Sequence, residues 1–280
     1  MGDTVGLELP EIINLADQMD EKINNKSITE ILLGERSKSL IKQGMCNLDR
    51  RGDEILNTRI KSIKSRGKWI FLEFENGLFL LLGEIIGKFH YHEYEKDLPT
   101  NYHVLFQFND GTFLTFQSSL YAFLLVLTEQ QLQDHKYAGN IGPSPVDEEF
   151  TYHYFDDFIS KYNNRAIKGV LNLQGELSGL GNAYINDILY KAKIHPKSKI
   201  SALTDDQKNE LYNIITETMN TAIDKSGSVK EEDLFGKKGN YVRLADENVK
   251  KLKCERCGSQ MEKINVLGSS SYICPRCQKL

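Results

Sequence analysis

The apolar positions along the chain change period twice. Between residues 9 and 25 they fall at Ile12, Ile13, Leu15, Ala16, Met19 and Ile23, the spacing of a one-sided helix. Pro10 stands where a first turn tolerates it. From Ile28 to about Phe116 the pattern turns to short alternating or wholly apolar runs, KWIFLEF, GLFLLLG, YHVLFQF and TFLTFQ. Asn76-Gly77, Gly87 and Asp110-Gly111 separate them, and Asn-Gly or Asp-Gly between β-type runs signals a hairpin. This predicts a helix followed by an antiparallel β-sandwich or barrel-like domain. Tyr137–Asp147, rich in Gly, Pro and Asn, predicts an interdomain linker. Helical spacing then returns over 151–162, 164–174, 182–193 and 204–224, broken by Ser178–Gly181 and His195-Pro196. Lys225–Asn240 is polar, basic and glycine-bearing, which predicts a mobile loop. The expected class is α+β, in four parts: 1–136 the β-sandwich domain, 137–150 the linker, 151–240 a helical domain, and 241–280 a small cysteine-bearing unit.

Composition changes this picture in three places. The longest apolar stretch, Leu78 to Ile86, is broken by Gly83 and Glu84 and falls short of the roughly 18 residues a membrane helix needs. The N-terminus lacks the basic-then-apolar pattern of a signal peptide, so a cytoplasmic protein is expected. The net charge of −4 hides unlike halves: residues 225–280 hold 12 Lys+Arg against 7 Asp+Glu, a balance of +5, which leaves −9 for the rest. Such asymmetry points to a nucleic-acid face on the C-terminal part, where Lys237 and Lys238 are candidate contacts.

Four of the five cysteines form two pairs, Cys254-Cys257 and Cys274-Cys277, as C-x2-C-x16-C-x2-C. Each CxxC turn points two thiolates at one ion, and a hairpin between the pairs closes a tetrahedron. The spacing predicts one structural Zn2+ with no open coordination position. The remaining Cys46 reads as an ordinary thiol.

The segment from Gln174 to Pro196 carries a Gly179-x-Gly181 turn opening on a helix that starts at Asn182. Backbone N–H groups at a helix N-terminus, Gly181 among them, suit a phosphate. Capping of the helix by Asn182 explains the same residues more simply.

ELSGLGNAYINDILYKAKIHP resembles the helix-two-turn-helix segment of the formamidopyrimidine-DNA glycosylase and endonuclease VIII family. Further matches follow in the family's order: Glu8-Leu9-Pro10-Glu11 at its N-terminus, Arg66-Gly67-Lys68-Trp69 in a strand, and Asn140 to Pro145 in its linker. Asp233 to Gly239 matches the approach to its finger, and the CxxC…CxxC-Gln end completes the series. The resemblance implies binding of duplex DNA, damaged or abasic, between the two large domains, with a base rotated out of the stack. It implies Lys68 and Asn182 on the flanking phosphates, Glu8 as the carboxylate that moves protons at the sugar, and Glu11 in support. A monomer is the expectation for this fold. Two plainer readings stay open: Lys68 as an exposed strand lysine, and Glu8 as a carboxylate favoured by a helix dipole.

The departures bear on the chemistry. The family attacks C1′ with the free amine of an N-terminal proline, whereas the matching position here is Leu7, preceded by MGDTVG. A peptide nitrogen has no available lone pair. The family's Leu-Gly-Met-Ser-Gly reads Leu82-Gly83-Glu84-Ile85-Ile86-Gly87, one residue longer and without Met. Its Asp-Pro-Arg-Arg-Phe-Gly reads Gln117 to Ala122, where Tyr121 keeps aromatic character as an intercalating side chain, and its finger arginine becomes Ser269. Two readings follow. One is a glycosylase that releases a base without nicking the strand, through water activated by Glu8 or Glu84; Glu84 then favours cationic alkylated purines. The other is a non-catalytic binder of abasic or distorted DNA. A third route, an amine nucleophile restored at Gly2 by removal of Met1, rests on the flexibility of the leader.

Overall fold

The protein is described here from a computed structural model, over residues 6–248 and 253–280. The helix predicted near the N-terminus is α1 (Leu9–Ile23), which buries Ile12, Leu15, Ala16, Met19 and Ile23. Eight strands follow: β1 (Ile28–Leu33), β2 (Ile60–Arg66), β3 (Trp69–Phe74), β4 (Leu78–Gly83), β5 (Gly87–His92), β6 (Val104–Phe108), β7 (Phe113–Ser118) and β8 (Phe123–Thr128). They form two antiparallel sheets, in the orders β1-β6-β7-β5 and β2-β3-β4-β8. Inward side chains of both sheets and the apolar stripe of α1 share one core, in which Phe74, Phe89, Phe106 and Phe116 are fully buried. The Asn-Gly and Asp-Gly turns fall where predicted, with Gly77 and Gly111 at φ of 79° and 83°.

The β pattern runs past Phe116. β8 pairs with β4, and the second sheet is covered on both faces. Leu80 and Leu82 point into the sandwich, while Leu81 packs outward with Trp69, Leu125, Ala138 and Ile141. That double burial is why β4 reads as an unbroken apolar run and not an alternating one. Three short helices escaped the periodicity: α2 (Ser37–Lys42), α3 (Leu48–Arg51) and α4 (Glu129–Gln133). Each is too short to show a helical repeat.

The helical part comprises α5 (Tyr152–Ser160), α6 (Ile167–Leu171), α7 (Asn182–Lys191) and α8 (Asp205–Asp224). α8 opens on a capping box in which Thr204 and Gln207 bond reciprocally. α6 is shorter than the predicted 164–174 because Arg165 and Ala166 pair with Lys199 and Ile200 instead of joining the helix. A second core gathers these helices, and Leu9 of α1 reaches into it. A hairpin of β9 (Glu262–Val266) and β10 (Ser269–Ile273) lies against α7, its turn made by Leu267 and Gly268, both at positive φ.

Lys225–Asn240 is not the loose loop its composition suggests. Leu234 is fully buried in the sandwich core, Tyr91 N donates to Leu234 O, and Ser228 N donates to Glu11. Glu232 accepts from Lys88 and meets His90 Nε2 at 3.1 Å. The segment is held by partners far away in sequence, which its polarity could not reveal.

Candidate active site

Glu8 precedes α1, and its carboxylate crosses to the other half of the molecule. Oε2 accepts from Gly181 N at 2.7 Å and from Tyr184 N at 3.3 Å, and Oε1 accepts from Ala183 N at 2.9 Å. The anion at the N-terminus of α7 is therefore the chain's own glutamate. The Gly181 N–H that the sequence offered to phosphate is already bonded, because a buried carboxylate satisfies the orphan donors and the helix dipole together. Gly181 is required for this approach: a Cβ there would stand 2.4 Å from Glu8 Oε1 and 2.9 Å from Lys68 Nζ. Burial raises the Glu8 carboxyl above its ordinary range, opposed first by the Lys68 ammonium. Lys68 makes no ion pair within 4 Å among the described residues, but its ammonium stands close to the Glu8 carboxylate.

Glu11 stands behind Glu8. It accepts from Glu8 N at 3.2 Å, from Tyr184 Oη at 2.7 Å and from Ser228 N at 2.8 Å. Burial raises its carboxyl too, against the pull of the Tyr184 hydroxyl. Three chain segments thus meet on two adjacent glutamates.

Leu7 is buried in the sandwich core, and its nitrogen donates to Ile85 O at 2.8 Å. The group at the family's nucleophile position is an amide engaged in a backbone hydrogen bond. Met1, whose removal would expose Gly2, and Gly2 itself lie outside the described residues.

Glu84 follows β4 with φ at 46°, left-handed for a residue with a Cβ. Its side chain and that of Tyr121 line one cavity of about 390 Å³ with Met45, Phe123, Tyr137 and Gln174. Tyr121 is half-buried against the sandwich core, while its neighbour Leu120 is 63% exposed at the loop tip. Asn182 turns its amide to the ribbon, donating to Ser270 O at 3.2 Å and accepting from Ser269 Oγ at 3.3 Å. Lys237 and Lys238 are exposed on a turn that rests against β5, where Gly236 approaches His90. Glu8, Glu11, Lys68, Gly181 and Asn182 are thus gathered around the start of α7, and Glu84 and Tyr121 share a cavity of their own.

Two residues of this region were missed in the sequence. Lys168 is buried under the hairpin and donates to Ser270 O at 2.8 Å and Ser271 Oγ at 2.6 Å. A lysine among the apolar residues of α6 was the available signal. Gln174 Oε1 accepts from Gly179 N at 2.9 Å and its Nε2 donates to Leu180 O at 2.7 Å, shaping the turn before Gly181. Nothing local marks that role.

The four paired cysteines converge. Their sulfurs lie within 4.8 Å of one another, at 3.8 Å for Cys254 and Cys277 and 3.4 Å for Cys257 and Cys274. Tetrahedral zinc with bonds of about 2.3 Å sets sulfurs roughly 3.8 Å apart, so the donor set fits one structural Zn2+. Tyr190 Oη donates to Cys254 Sγ at 3.4 Å. Gln278 ties the ribbon to α7 by donating to Leu189 O and Ile194 O while accepting from Cys274 N.

An antiparallel sandwich, a helical domain and a zinc ribbon, joined through a buried glutamate at one helix end, define a helix-two-turn-helix DNA-repair architecture. Residues 7–119 match the formamidopyrimidine-DNA glycosylase N-terminal domain, 141–233 the formamidopyrimidine-DNA glycosylase H2TH domain, and 251–280 the zinc finger found in FPG and IleRS. The chain belongs to the formamidopyrimidine-DNA glycosylase and endonuclease VIII family. It is 28% identical to the formamidopyrimidine-DNA glycosylase of Bacillus cereus over 275 residues, 97% of this chain and 98% of that one. With the Enterococcus faecalis protein of the same name it shares 26% over 283 residues, 98% of this chain and 97% of that one. The fold matches wild-type Lactococcus lactis Fpg (MutM) in complex with DNA containing N7-benzyl-Fapy-dG, with a TM-score of 0.85 and 24% identity over 98% of this chain and 100% of that one. MutM in complex with carbocyclic 8-oxo-G DNA gives a TM-score of 0.84 and 25% identity over the same shares. Among the described residues no helix is long and apolar enough to cross a membrane.

Proposed function

We infer that this protein is a DNA repair glycosylase that binds damaged duplex DNA, hydrolyses the N-glycosidic bond of a damaged base and leaves the strand unbroken. The observation that carries the last clause is the Leu7 nitrogen, a buried amide donating to Ile85 O at 2.8 Å. An amide in that role forms no imine with C1′, and β-elimination of the strand depends on the imine.

Glu8 is then the group that receives the proton of the attacking water. The backbone N–H groups of Gly181, Ala183 and Tyr184 hold its carboxylate in one orientation. The raised affinity for a proton that burial confers suits a general base. Glu11 fixes Glu8 by bonding its backbone nitrogen. Lys68 supplies a phosphate contact, while Asn182, Lys237 and Lys238 extend the DNA face, and Tyr121 or its exposed neighbour Leu120 enters the stack. On this reading residues 1–136 and 151–240 grip DNA from two sides of the 137–150 linker, and 241–280 forms the zinc ribbon. The protein acts as a monomer, cytoplasmic and associated with the nucleoid when bound.

The test uses labelled duplexes with an abasic site, an oxidised guanine or an alkylated purine, with and without borohydride. Alkali-dependent breaks with no trapped adduct are the expected result. A borohydride-trapped adduct or spontaneous nicking would show that an amine is at work. Binding of the abasic duplex with no base released would leave a non-catalytic binder.

A further inference from the structure

The cavity that holds Glu84 has an unusual lining for a site that meets a polyanion. Three of its six residues are aromatic, Tyr121, Phe123 and Tyr137; one is a carboxylate, Glu84; none is a cation. The rings are not isolated. Phe123 and Tyr137 have centroids 6.0 Å apart, and Trp69 backs Phe123 at 5.5 Å. Tyr137 already holds one cation on its ring, the Lys136 ammonium at 5.0 Å from the centroid. Among the described residues the Glu84 carboxylate accepts no hydrogen bond and makes no ion pair. Burial and the neighbouring Glu84 charge hold the Tyr121 hydroxyl above its ordinary range, so it stays neutral.

The cavity also adjoins the Glu8 site. Glu84 N donates to Lys68 O, and the next residue, Ile85, accepts from Leu7 N. Gln174, which also lines the cavity, bonds Gly179 and Leu180, immediately before the Gly181 that bonds Glu8. The volume of about 390 Å³ falls within the range of small-molecule sites. That volume has room for a flat ring rotated out of the helix, beside aromatic side chains and a half-buried carboxylate.

We propose that this aromatic and carboxylate-lined cavity receives positively charged, ring-N-alkylated purine bases, and that Glu84, Tyr121 and Tyr137 select them by charge. The proposal rests on the glycosylase reading above and names its substrate class. Ring faces attract cations, and an unpaired carboxylate in a partly desolvated cavity attracts them further. The same site penalises neutral lesions, which leave Glu84 desolvated without compensation.

The chemistry needs nothing that the chain lacks. In an N-alkylated purine nucleoside the positive charge sits on the base. Water attacks C1′ as the C1′–N9 bond breaks, and the pair from that bond returns to the ring and neutralises it. The base leaves uncharged, C1′ keeps the water oxygen, and the released proton passes to Glu8. No acid is required at the base. During the step positive charge moves from the base to the sugar, so Glu84 favours the bound substrate more than the transition state. Its contribution therefore belongs to capture, whereas that of Glu8 belongs to the bond-breaking step.

The experiment compares duplexes carrying one 7-methylguanine with duplexes carrying one 8-oxoguanine, and counts released bases by mass spectrometry. The parent protein is expected to excise 7-methylguanine at least about tenfold faster. Glu84→Gln is expected to raise KM for that duplex about tenfold with a smaller change in kcat, and Glu8→Gln to lower kcat. Tyr137→Ala should lose capture, and Tyr137→Phe should restore it, since the ring face is kept. Thermal melting and a gel shift on an abasic duplex establish that each variant is folded. Release of 8-oxoguanine in preference to 7-methylguanine, or an unchanged KM in Glu84→Gln, overturns the proposal and leaves the glycosylase reading intact. Release of neither base, with the abasic duplex still bound, removes that reading and the proposal with it.

Discussion

The burial of Glu8 and the general-base role proposed for it pull in opposite directions with pH. Burial raises its proton affinity above the ordinary value of 4.5, so the folded protein holds a proton that the unfolded chain releases. The stability this contributes is complete below the unfolded value and is lost as pH rises through the folded one. The proposed general-base role needs the ionised form. The melting temperature is therefore expected to fall, and kcat to rise, as pH increases from about 4.5 upward, with Glu8→Gln flattening both curves. A melting temperature of the parent that rises with pH over that window would contradict the burial argument. Leu7 invites the complementary experiment. A chain beginning Met-Pro at positions 6 and 7, without the leader, presents a free secondary amine once Met is removed. Borohydride trapping on abasic DNA is expected to appear in that variant and to be absent from the parent.

At the level of elements, α7 is where the molecule is joined. Its first turn takes the Glu8 carboxylate, its body supports β10, and its last carbonyls bond Gln278 and Arg256 of the ribbon. The Gly181 position tests this arrangement directly. Its φ of −135° is open to any residue, so only the close approach of Glu8 and Lys68 excludes a side chain. Gly181→Ala is expected to displace the carboxylate and leave three buried N–H groups unpaired, at a cost of about 3 kcal/mol. Urea unfolding measures this, and base release should fall with it. The Lys225–Asn240 segment shows the limit of reading elements from local pattern. Its polarity predicts mobility, yet Ser228 on Glu11 and Leu234 in the sandwich core hold it in place.

For the whole molecule, the zinc ribbon and the helical domain act as one surface. Lys168, Asn182 and Asn186 all donate to Ser270 O in the hairpin. Stripping the metal with a chelator is expected to free the hairpin and reduce affinity for an abasic duplex, with recovery on adding zinc. Binding should also weaken steeply with salt. Lys68→Ala is expected to lower the log–log slope by about one, the signature of a lost phosphate contact. An unchanged slope would place Lys68 off the DNA backbone.

What was legible in the sequence follows from how local each signal is. The helix of α1, the hairpins at Asn76-Gly77 and Asp110-Gly111, and the zinc ribbon each depend on residues close in the chain. Periodicity, turn conformation and thiolate spacing encode them directly. The Leu7 substitution was equally plain, because an amide nitrogen is an amide in any fold. The ordered motifs marked Glu8, Lys68 and Asn182 as members of one site. Only the tertiary structure decided what those residues touch. It turned the α7 N-terminus from a phosphate site into the seat of Glu8, and it buried Lys168 under a hairpin about a hundred residues away in sequence. It also placed Glu84 beside aromatic rings from two other segments, Tyr121 with Phe123 and, farther along the chain, Tyr137. Long-range burial and hydrogen bonding set these contacts, and neither leaves a periodic trace in the chain.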